Sequence, residues 1–200
     1  MKDKLLPLVK SSCRAAGVEL YFGRGATILC DNVPVSGYFD PGRPRLAVAR
    51  GNTEWEYILL HEFQHMQQWL EQIPLWKQCQ EFSDYQFADA LQGKEINEEL
   101  WRQECLLDMA IERDCEQRVV KKLIKWDCSN EDIRDYIKQA NAYTMFYLHL
   151  IESKKWNLPG RGAYQIKRVW QQFPETFDID VEKEYEIRKN LYSLCFIPED

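Results

Sequence analysis

The sequence predicts an α+β fold, in which a small, mostly antiparallel N-terminal sheet leads into helices that fill the remainder of 200 residues. Three observations carry this. Short alternating or β-like segments, divided by glycine and proline turns, are confined to residues 18–50. Helical periodicity starts at Trp55 and returns in two long stretches, 97–125 and 130–154. A hydrophobic share of 45% with seven tryptophans supplies enough apolar surface for one domain spanning 1–200.

Residues 1–17 read as a short helix that stops at Gly17. Residues 18–22 alternate as a strand does, and Gly23-Arg24-Gly25 is a turn without the phosphate-loop pattern. Residues 26–30 and 35–40 are further strands, and Asp40-Pro41-Gly42-Arg43-Pro44 turns the chain. Residues 45–50 form a short strand broken by Gly51. A helix over 55–70 follows, with Thr53 as its N-cap, Glu54 and Glu56 at its positive end, and Pro74 beyond its far end. After Glu81 the pattern is helical, including 163–173 and 181–194, with a loop at Leu158-Pro159-Gly160-Arg161-Gly162. Residues 18–125 make the core and 126–200 a helical extension.

The net charge of −6 argues against a nucleic-acid backbone as the main partner. The N-terminus lacks an apolar core of signal-peptide length, and no run approaches a membrane span. The expectation is a cytoplasmic protein without membrane contact. Seven cysteines, an odd number without a C-x-x-C pair, read as reduced residues and not as a disulfide or cysteine-zinc framework.

Within the helix over 55–70 stands His61-Glu62-Phe63-Gln64-His65, which holds two of the three histidines of the chain. Positions i and i+4 share a helix face, so His61 and His65 can bind one Zn²⁺ from the same side. Glu62 is rotated by about 100° from His61 and can reach a water at that metal as a general base. Tyr57, Ile58, Leu59, Leu60, Phe63, Met66, Trp69 and Leu70 make the helix apolar over a wide arc. A buried histidine pair there needs a strong partner, and a metal is one. An amphipathic helix whose histidines satisfy local hydrogen bonds is the alternative.

A zinc hydrolase takes three protein ligands and keeps one position open. Glu104, Asp108, Glu112 and Glu116 form an i, i+4 ladder on the helix over 97–125. Glu112 is the expected ligand, with Glu116 and Glu104 next. Small Cys115 lies between Glu112 and Glu116 and permits close helix approach. Glu116, one turn on, is expected to orient an imidazole by accepting its second N–H. His149 is the rival ligand, but its apolar helical setting, Phe146-Tyr147-Leu148-His149-Leu150, suits a core histidine.

His61, Glu62 and His65, followed by Glu112, Cys115 and Glu116, resemble the gluzincin branch of the zincin metallopeptidases, small ones of phage or bacterial origin among them. There, H-E-x-x-H is followed on a later helix by E-x-x-[small]-[D/E]. Glu112 lies 47 positions after His65, and Cys115 replaces the more usual alanine. The resemblance covers about 18–120, and the C-terminal third lies outside it. It implies a zincin-like fold, Zn²⁺ as cofactor, and hydrolysis of a peptide or protein substrate with Glu62 as base. It also implies an antiparallel edge strand before the metal helix that pairs with substrate backbone, which is the place of Leu46, Ala47, Val48 and Ala49. Tyr143 and Tyr147 share a helix face and can donate to the oxyanion. The alternative function is a catalytically restricted or inactive zincin-fold regulator acting on one dedicated protein. Oligomeric state and substrate identity are not encoded in these motifs.

Overall fold

The structure, a computed structural model, describes residues 1–30, 33–82 and 85–198. Among them are eight α-helices and five strands, with the strands confined to the N-terminal half and the C-terminal half helical. The α+β class therefore stands. No helix of the described residues is long and apolar enough to cross a membrane. The chain divides into two compact units, Met1–Ile73 with Lys121–Cys128, and Pro74–Val120 with Ser129–Asp200.

The first unit opens with α1 (Lys2–Ala16), which buries Leu5, Val9 and Cys13 along one stripe. Gly17 ends it in the left-handed region at φ 68°, where a side chain would be strained. The strands are β1 (Glu19–Gly23), β2 (Ile28–Cys30), β3 (Val33–Val35), β4 (Gly37–Asp40) and β5 (Arg45–Ala49). β2 and β3 form an antiparallel ribbon, and the other three form a sheet in the order β1-β5-β4. β5 runs parallel to β1 and antiparallel to β4.

This order corrects the expected edge strand. Leu46, Ala47, Val48 and Ala49 belong to the central strand, where Leu20 and Phe39 flank Leu46 from either side. All four are fully buried. Their backbone groups serve the sheet and cannot pair with a substrate. Among the described residues, β1 and β4 are the outer strands of the sheet.

α2 (Trp55–Glu71) packs on β4 and β5 through Leu59, Leu60, Phe63 and Met66. The Phe39 ring of β4 lies 5.4 Å from that of Trp69. Thr53 does not cap this helix; Asn52 Oδ1 accepts the Glu54 N–H at 2.8 Å instead, in an Asx turn one residue earlier. α2 ends with Gln72 in the left-handed region, and Pro74 opens the next helix.

The second unit contains α3 (Pro74–Glu81), α4 (Phe87–Leu91), most of α5 (Glu98–Lys125), α6 (Asn130–Ser153), α7 (Lys167–Trp170) and α8 (Val181–Arg188). A 3₁₀ segment, Lys189–Phe196, follows. Ser129 caps α6 by accepting the Asp132 N–H at 3.0 Å. The core gathers Trp101 and Cys105 of α5, Met145, Phe146 and Leu150 of α6, and Val169, Phe173, Tyr185 and Tyr192. Two of its polar atoms are bonded across it: Trp101 Nε1 donates to the Ile151 carbonyl at 3.3 Å, and Tyr192 to that of Ala142 at 3.1 Å. The helix expected over 163–173 shrinks to four residues. Gln165 uses its side chain to accept the Gly162 N–H at 2.8 Å, which holds the approach as a loop. The helix expected over 181–194 tightens into 3₁₀ geometry after Arg188.

Candidate metal centre

In the first unit, α2 sets His61 above His65 by one turn. Their Nε2 atoms approach to 3.1 Å, with ring centroids 4.7 Å apart and ring planes at 81°. Two imidazole nitrogens about 2.0–2.1 Å from a tetrahedral zinc ion stand roughly 3.3 Å from each other. The observed pair is within a few tenths of an ångström of that bite, and it presents the same nitrogen of each ring. The donor set and spacing therefore fit a metal. On the far side of the His65 ring, Nδ1 lies 2.8 Å from Oε1 of Gln68, whose side chain is fully buried.

Glu62 is partly buried beside the pair. β4 closes on it at Gly37. A Cβ at that residue would stand 2.6 Å from Cγ2 of Ile58 and 3.1 Å from Cγ of Glu62. Glycine here lets an edge strand run directly against the stem of the glutamate.

In the second unit, the acidic ladder of α5 separates into different roles. Glu104 accepts the N–H groups of Gln86 at 2.6 Å and Phe87 at 3.3 Å, so its carboxylate holds the start of α4. Burial raises its pKa, and these bonds oppose the rise. Asp108 is pushed up to about 7 by burial first, then by Glu112 and Glu104. Glu116 is buried and accepts a short hydrogen bond from the Tyr136 hydroxyl. Cys115 is buried between Glu112 and Glu116, and none of the seven cysteines is in a disulfide.

Tyr143 and Tyr147 come together on α6, with hydroxyls 3.5 Å apart. The Tyr143 phenol is held well above its ordinary pKa by burial first, then by the Glu112 carboxylate and by Tyr147. The expected ligand and the expected oxyanion donors thus share one neighbourhood of this unit. Tyr164, which sequence reasoning passed over, joins them with its ring 5.7 Å from that of Tyr143. Its signal was the Gly160-Arg161-Gly162 loop: a Cβ on Gly162 would meet the Tyr164 ring at 2.6 Å.

His149 occupies a different place. It stacks on Tyr192 at 5.3 Å and 25°, with Phe146 and Phe196 also within 6 Å. Burial lowers its pKa, with Glu152 opposing. It is a histidine of the aromatic core, as its sequence setting suggested.

No known protein family, curated protein or solved structure matches the chain. The chemistry therefore rests on the chain's own residues: in the first unit two converging imidazoles with a carboxylate beside them, and in the second unit a carboxylate with two phenols.

Proposed function

We propose that the protein is a zinc-dependent peptidase of zincin type, in which His61 and His65 hold the metal, Glu62 is the general base, and Glu112 is the third ligand that the sequence motif implies. The observation that carries this reading is the 3.1 Å convergence of His61 and His65 Nε2 on the helix that also carries Glu62. Bound zinc would acidify a water and polarise a peptide carbonyl. Glu62 would take a proton from an attacking water as the oxygen of that water bonds to the carbonyl carbon. It returns the proton to the amine as the C–N bond breaks. Tyr143 and Tyr147 are the donors that the sequence offers to the oxygen on which charge develops.

Glu112 rests on the sequence motif, and a carboxylate leaves the metal a stronger Lewis acid than a thiolate does.

The backbone that receives substrate is reassigned from β5 to the outer edge of β4. Among the described residues it is an outer strand of its sheet, and it approaches Glu62 at Gly37. An extended peptide would add to it by main-chain bonds, with little demand on sequence. The substrate is a peptide or an unfolded protein segment, met in the cytoplasm.

The test replaces Glu62 by Gln and follows cleavage of an unstructured protein and of a quenched-peptide library. The expected result is loss of hydrolysis with zinc content unchanged. Full activity in E62Q overturns the mechanism. Zinc binding without cleavage of any generic peptide by the wild type would favour a regulator restricted to one partner.

A further inference from the structure

We propose that Gln68 is a positioning residue that fixes the tautomer of His65 and thereby sets the affinity of the site for zinc. This rests on the zinc reading of His61 and His65 and extends it to a residue outside the H-E-x-x-H box. Gln68 lies three positions after His65 on α2, so the two side chains share a face. Its Oε1 stands 2.8 Å from His65 Nδ1.

A neutral imidazole carries one proton. An acceptor at Nδ1 keeps the proton there and leaves Nε2 with a bare lone pair. Nε2 is the atom that faces His61. The amide oxygen therefore aims the lone pair of His65 at the point where a metal would sit. In metal-free protein the same arrangement makes His65 Nε2 the acceptor and His61 Nε2–H the donor of the 3.1 Å contact. Zinc then requires a tautomer change only at His61, whose proton passes through solvent from Nε2 to Nδ1.

The choice of an amide has a physical reason. The Gln68 side chain is fully buried. A carboxylate at that depth would carry a desolvation penalty whenever the metal is absent. A neutral amide orients the ring without that cost. A leucine or methionine would fill the space but leave Nδ1 without an acceptor. The reverse amide orientation makes the opposite claim: an N–H donated to Nδ1 would place the ring proton on Nε2, where it blocks a metal.

Two readouts test this. Two-bond ¹H–¹⁵N correlation on histidine-labelled protein reports the tautomer, and with three histidines in the chain the signals can be assigned by substituting His61 and His149. Competition with a chromophoric chelator reports zinc affinity. The expected result is an Nδ1–H tautomer for His65 in both metal-free and zinc-loaded protein. Q68L should lose about 10- to 100-fold in zinc affinity. Q68E, which keeps an acceptor, should retain the tautomer and bind zinc at least as tightly as wild type. An Nε2–H tautomer for His65, or Q68L affinity equal to wild type, overturns the proposal. If Q68L does not fold, the wild-type tautomer and Q68E still decide it. Failure of the wild type to bind zinc would count against the peptidase reading, whereas wild-type binding that Q68L shares would remove Gln68 alone.

Discussion

His61 Nε2 and His65 Nε2 stand 3.1 Å apart on one face of α2, a separation that suits two ligands of a single small cation. Each nitrogen supplies a large part of the binding. H61A and H65A should therefore each weaken zinc binding by at least about 100-fold. Circular dichroism should remain helical, since both residues are only partly buried. Chelator competition measures the loss, and near-wild-type affinity in either variant would contradict the pairing.

Gly37 makes a second prediction, because its missing Cβ is the space that Glu62 and Ile58 occupy. G37A should destabilise the protein by about 1–3 kcal/mol through overpacking and displace the base. Denaturant melts and peptide cleavage read the two effects. Removing the opposing methyl branch, as in G37A/I58L, should recover part of the stability. A fully stable and active G37A would remove the claim of close contact.

Asp108 gives a pH dependence. Its carboxyl has an ordinary pKa of 3.8 and is raised to about 7 in the fold, so the folded state holds the proton more tightly than the unfolded state. This contribution is fully present below the ordinary value. It fades as pH rises, at up to about 1.4 kcal/mol per pH unit, until the folded value is passed. In zinc-free protein, D108N should flatten the fall in stability between those limits and exceed wild type at about pH 8. A wild-type slope in D108N would show that Asp108 is not its source.

Tyr143 and Tyr147 are a pair whose hydroxyls meet on α6. As donors to a developing oxyanion, loss of either should lower kcat and leave KM and zinc content nearly unchanged. Y143F should cost about 100- to 1,000-fold, the range for one such donor. A change confined to KM would assign the pair to substrate binding instead.

The long helices were legible because their signals are local. α5 and α6 begin and end within a residue of the stretches read from periodicity. The strands were legible as segments, but their order was not. Pairing order depends on contacts far apart in sequence, and alternation says nothing about it. One clue was present: Leu46-Ala47-Val48-Ala49 is apolar without alternation, the mark of a strand buried on both faces. Pro74 was read as a stop although it also suits the first turn of a helix, which is how α3 was missed. In the site, His61, Glu62 and His65 follow from spacing alone. Gln68 shares that spacing but carries no charge, and its role depends on a hydrogen bond that only coordinates reveal. Tyr164 is joined to Tyr143 across a loop, and no periodicity links them.

Metal analysis of protein purified without chelator bears most directly on the zinc centre. About one equivalent of zinc per chain is expected, retained in E62Q and lost in H61A and H65A. Less than about a tenth of an equivalent, with no gain when zinc is added back, would contradict it.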